Sequence, residues 1–111
     1  MIDYGDVRLA AVGTDAVMLE LSLLFHPAGR AISRGWPSPD AAGHWFDLDE
    51  YTAACPFASF VRATREWALA NGVGVRAVRA TAYAHSLRQL KYPDVAPELA
   101  VAIARSAVAA W

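Results

Sequence analysis

Ala16-Val17-Met18-Leu19-Glu20-Leu21-Ser22-Leu23-Leu24-Phe25-His26 is the stretch on which the fold class turns. Val17, Leu19, Leu21, Leu23 and Phe25 fall on alternate positions, with Met18, Glu20, Ser22, Leu24 and His26 between them. A period of two sustained in this way is what a strand with one face on a core requires. Leucine, methionine and glutamate also favour helix, which is the competing reading of the same run. The alternation predicts a strand.

Working outward, Val7, Leu9 and Ala11 alternate with Arg8, Ala10 and Val12, and Gly13-Thr14-Asp15 supplies turn chemistry. These residues predict an earlier strand. His26-Pro27-Ala28-Gly29 breaks the apolar run and leads into a third strand near Arg30 to Trp36. Pro37 and Pro39 then make residues 36–46 a loop, because proline forbids helix and discourages strand pairing there.

The rest of the chain reads as helix. Asp47 and Glu50 have the spacing of a capping pair for a short helix that ends before Pro56. Phe57, Phe60, Val61, Thr64, Trp67 and Ala68 form the apolar stripe of a longer one, with Arg62, Arg65 and Glu66 outside, and Asn71-Gly72 stops it. Residues 73–80 suit either a returning strand or a helix. Ala82, Tyr83, Ser86, Leu87 and Leu90 make another helical stripe, and a final helix starts near Pro97-Glu98 and runs to Trp111, apolar on nearly every side. Strands followed by helices predict a single α+β domain over residues 1–111: an N-terminal meander, an antiparallel sheet of three or four strands, packed against C-terminal helices.

Composition bounds the function classes. A chain of 111 residues can bury a core without staples, and one cysteine, Cys55, permits no disulfide within it. The first residues lack the basic and apolar regions of a secretory signal, and no run approaches a membrane span, so the expectation is a soluble cytoplasmic protein. Twenty-four alanines account for much of a 56% hydrophobic content. Alanine on this scale is either compositional or the sign of apolar surface left for a partner. Residues 1–60 hold eight acids against three bases, and residues 61–111 hold seven bases against three acids. Such halves attract one another or a neighbouring subunit, and a basic half also raises the question of nucleic acid. Arg62, Arg65, Arg76, Arg79, Arg88 and Lys91 are the residues that would meet phosphates, yet a pI near 6.3 is low for a nucleic-acid module.

Motifs with a strong mechanism are missing: no glycine-rich phosphate loop, no His-Glu-x-x-His and no paired Cys-x-x-Cys. The best local candidate is the loop holding Trp36, His44, Trp45 and Asp47, where two indoles could wall a pocket for a small apolar ligand or a protein partner. The plainer reading is that the tryptophans anchor a proline-rich loop while Asp47 and Glu50 cap the following helix. Tyr83 and His85 would share a face on a strand but point about 200° apart on a helix, so the segment's conformation decides whether they can act together. Cys55, at a helix start, is either a lowered-pKa thiol or inert filler.

The expectation is therefore a non-enzymatic, self-associating binding domain, most simply a symmetric dimer, or one with an obligate protein partner. Trp36, His44, Trp45 and Asp47 would meet the ligand or partner, and Ala100, Ile103, Ala107 and Trp111 would pack against a neighbour. The alternatives are a small α+β enzyme, with His44, His85 or His26 as acid or base assisted by Asp47 or Tyr83, and a nucleic-acid-binding accessory protein. No cofactor and no metal site is legible.

Overall fold

A computed structural model describes the backbone of residues 4–33, 35–71 and 74–109, and the side chains of residues 15–32, 35–70 and 74–109. Among the described residues there is no strand, and the expected antiparallel sheet is replaced by helices throughout. In chain order they are α1 (Tyr4–Phe25), α2 (Pro27–Ser33), α3 (Pro39–Ala42), α4 (Leu48–Tyr51), α5 (Ala58–Asn71), α6 (Val75–Gln89) and α7 (Pro97–Val108). The α+β expectation is corrected to all-α.

The deciding stretch shows why. Ala16, Val17, Glu20, Leu21 and Leu24 are all buried, a spacing of 0, 1, 4, 5 and 8 that marks one face of a helix. Leu19, which the alternating pattern would bury, is exposed, and Glu20, which it would expose, is buried. Apolar residues surround the helix so fully that a period of two is contained within the period of 3.6. Between Val17 and Phe25 only Val17 is β-branched, so local preference sided with helix. The expected strand at Val7–Val12 and the turn at residues 13–15 both lie inside α1. The third strand gives way to α2, and from Val75 onward the ambiguous segment is helix.

α1 packs against α5 and α6, and α7 packs against α6 and α3. α2 folds back along the end of α1. Gly29 permits this approach: a Cβ there would stand 2.3 Å from the main-chain oxygen of Ser22 and 2.8 Å from Leu23 Cα.

The short helices begin where local chemistry requires. Ser38 precedes Pro39 and accepts from Ala41 N–H at 3.1 Å, and Asp47 accepts from Glu50 N–H at 3.4 Å. α5 is rotated from the expected stripe. Val61, Thr64, Arg65 and Ala68 point inward, while Phe60 and Trp67 are exposed. Arg65 was expected outside, and it is drawn in by a carboxylate that the sequence reading had placed on a strand's outer face. α7 carries Ala100, Ile103, Ala104 and Ala107 into the chain's own core.

Candidate functional site

The stretch expected to be loop throughout instead holds α3, which Pro39 starts at its first turn, and it folds inward. Trp36 is buried, and its Nε1–H donates to the main-chain oxygen of Tyr51 at 2.9 Å while its ring lies 4.8 Å from the Tyr51 ring. Trp45 is fully buried, and its Nε1–H donates to Glu20 Oε2 at 2.7 Å. His44 and Asp47 stay on the surface, Asp47 as the cap of α4. His44 borders a shallow depression between α3 and α7 with Asp40, Glu98 and Arg105. The four loop residues named from sequence thus divide, with both indoles turned to the core and both polar side chains to solvent. Ala100, Ile103 and Ala107 are fully buried within this one chain, and Trp111 lies outside the described residues.

Beneath the loop is a charged network the sequence reading did not find. Arg65 Nε donates to Glu20 Oε1 at 2.7 Å and Nη2 to Glu20 Oε2 at 3.3 Å. The guanidinium stacks over Trp45, 3.9 Å from the ring centre. Glu20 therefore receives three donors, which compensates the desolvation of a buried carboxylate. Tyr51 closes the cluster. Burial, and then the Glu20 charge, push its phenol well above its ordinary range, so it stays protonated. This network lines neither the depression beside His44 nor the cleft between α1, α2 and α6, and its geometry suits holding α1, α4 and α5 together.

The recess with the most convergent chemistry lies elsewhere, at the junction of α1 with α2 and beside the end of α6. It is a cleft of about 430 Å³ with Met18, Phe25, Pro27 and Val95 as apolar walls. Ser22, His26, His85, Gln89, Tyr92 and Asp94 supply its polar groups. Helical periodicity builds it: Met18, Ser22 and His26 follow one another at every fourth residue, and His85 and Gln89 do the same on α6. His85 is half-buried, with its ring edge-on to Phe25 at 5.9 Å between centres. Burial, with help from the Arg88 charge, lowers its pKa below the usual 6.5 and keeps it neutral.

The sequence reading named His26 and His85 separately as candidate acids or bases. It could not join them, because the packing of α1 on α6 that brings the two histidines to one recess is absent from the expected sheet. Tyr83 and His85 do sit on a helix, so that pair is set aside. Ser22 Oγ donates to Leu19 O at 2.6 Å, and among the described residues no hydrogen bond links Ser22, His85 and Asp94. That is not the connected relay an activated serine uses. No group of three or more metal-ligating side chains converges among the described residues.

Cys55 is half-buried, and burial raises its thiol pKa despite Phe57 N–H donating to Sγ at 3.3 Å. The basic residues do not form one surface. Arg65 is buried on Glu20, and Arg62 pairs with Asp49 at 2.6 Å. Arg79 is buried over Phe46, 3.7 Å from the ring centre, and donates to Ala107 O. No helix among the described residues is long and apolar enough to cross a membrane. No protein-family model matches the chain, and neither a curated protein nor a solved structure shows significant similarity to it.

Proposed function

We propose that the chain is a small-molecule-binding helical domain whose site is the cleft between α1, α2 and α6. The observation that carries this reading is the convergence of polar side chains from both long helices and the 90–95 segment on one recess with apolar walls. A mostly apolar concavity with a few directional polar groups is the usual form of a ligand site. Non-enzymatic binding is favoured over acid–base catalysis because, among the described residues, no side-chain-to-side-chain hydrogen bond joins the two histidines, the serine and the aspartate.

Saturation-transfer NMR with a library of small aromatic heterocycles tests the reading. Met18→Trp fills the cleft from a position that is already 40% exposed, so the fold is retained. Ligands that bind the native chain and are lost in the variant support the proposal. Ligands indifferent to the substitution, or none at all, overturn it.

Self-association is a second reading, favoured by Tyr83 and Leu87 on α6 and Leu90 at its C-cap, which leave a partly exposed apolar row. A second copy would cover it in a symmetric pair. Native mass spectrometry should then give a multiple of 12.0 kDa that Leu87→Lys reduces to one chain. A single-chain mass for the native protein rejects this reading.

A further inference from the structure

The cleft's hydrogen-bonding polarity is fixed by two contacts outside it. His26 stands immediately before Pro27, the first residue of α2, and its Nδ1 accepts from Ala28 N–H at 3.1 Å. A neutral imidazole that accepts at Nδ1 carries its proton on Nε2, so the free edge of His26 is a donor. Ser22, one helical turn earlier, is fixed in the opposite sense. Its hydroxyl proton is donated to Leu19 O at 2.6 Å, which leaves the oxygen as an acceptor. His26 N–H donates to Ser22 O at 3.0 Å, so the backbone keeps helical spacing across the junction and both side chains lie on the same face. A donor and an acceptor therefore stand side by side above the apolar wall of Met18 and Phe25.

The charges around the rim are mixed. Asp94 contributes a carboxylate, while Lys91 places its ammonium 5.1 Å from the ring centre of Tyr92, and Arg88 lies near enough to His85 to influence it. Apart from Asp94 and His26, the directly lining residues are uncharged, with His85 held neutral by burial. An anionic ligand would meet Asp94, and a cationic one would meet Lys91 and Arg88. Neither sign gains a clear advantage, whereas an uncharged ligand meets no opposing charge.

Resting on the reading of this cleft as a binding site, we infer that it takes an uncharged, flat, ring-shaped ligand with an amide- or lactam-type edge. Its carbonyl oxygen accepts from His26 Nε2–H, its adjacent N–H donates to Ser22 Oγ, and its ring lies against Met18 and Phe25.

Three probes of similar shape test this on the full chain: 2-quinolone, which has the lactam edge; quinoline, which offers one acceptor only; and quinoline-2-carboxylate, which is anionic. Titration by NMR should show 2-quinolone binding about tenfold more tightly than quinoline, the factor one additional directed hydrogen bond supplies. Carboxylate binding should be weaker still. His26→Ser keeps a capping oxygen for Ala28 N–H but removes the ring, and Ser22→Ala removes the acceptor without disturbing the helix. Ser22→Ala should abolish the lactam's advantage while leaving the binding of quinoline within about twofold, and His26→Ser should weaken both probes by about tenfold, because each loses its bond to Nε2–H. Equal binding of 2-quinolone and quinoline, a preference for the carboxylate, or an advantage that survives Ser22→Ala overturns the inference while leaving the cleft a binding site. If none of the three probes perturbs the Met18 and Phe25 resonances, the binding-site reading falls with it.

Discussion

Glu20 on α1 and Arg65 on α5 form an ion pair at 2.7 Å in which each side chain is only 1% exposed. They are 45 residues apart in sequence, and Trp45 from the intervening loop donates to the same carboxylate. Such a pair contributes little net stability, since desolvating two charges offsets their attraction. It does penalise any packing that separates them. Glu20→Ala should therefore cost about 3–5 kcal/mol, because Arg65 is left buried and uncompensated. Glu20→Leu combined with Arg65→Met should recover most of that loss. Urea unfolding of the two variants checks this, and a double variant no more stable than Glu20→Ala would contradict it.

The same pair shows what was and was not legible in the sequence. Caps and breakers are local, so the start at Asp47, the boundary at Pro56 and the start of α7 near Pro97 were all readable from a few residues. Whether residues 17–25 form strand or helix depends on which side chains find partners, and Glu20 finds its partner 45 positions away. An acidic residue in an apolar run reads as solvent-facing unless that partner is known. The error then propagated. With Glu20 placed outward, nothing called for Arg65 to face inward; the expected stripe of α5 holds at Val61, Thr64 and Ala68 and fails at Phe60 and Trp67, which are exposed. The cleft was lost for the same reason, since His85 and Gln89 of α6 meet Met18, Ser22 and His26 only when residues 16–25 are a helix packed on α6.

Tyr51 is fully buried, and among the described residues its hydroxyl meets no hydrogen-bond partner, in contrast to its main-chain oxygen, which accepts from Trp36. An unsatisfied buried hydroxyl costs roughly 1–3 kcal/mol, and removing it recovers part of that. Tyr51→Phe should be neutral or stabilising by about 1 kcal/mol in thermal or urea unfolding. A clear loss of stability would instead place a bound water on the hydroxyl.

Gly29 lies where α2 meets α1, and the obstruction a Cβ would meet is backbone, which cannot rotate away. Gly29→Ala should destabilise the chain by about 3 kcal/mol, against a gain of less than 1 kcal/mol expected from helix propensity alone. It should also displace α2, which carries Pro27 in the cleft wall, and so weaken any ligand the cleft binds. Unfolding midpoints together with probe titration check both parts. A stabilised variant would show that α2 does not approach α1 this closely.

His85 gives the cleft a pH dependence whose sign can be worked out. Burial, and then the Arg88 charge, lower its folded pKa below 6.5, so between that lowered value and 6.5 the unfolded chain holds more protons on this residue than the folded one. Its stabilising contribution is complete above the unfolded value and is lost as pH falls through the folded one. The native chain should therefore lose more stability than His85→Gln when urea unfolding is moved from about pH 7.5 to about pH 5, since glutamine keeps polar bulk but does not titrate. The comparison cancels the other acids and histidines, which both proteins share. Parallel pH dependence in the two would mean that the imidazole is as easily protonated folded as unfolded, and that the edge of His85 against Phe25 is open to water.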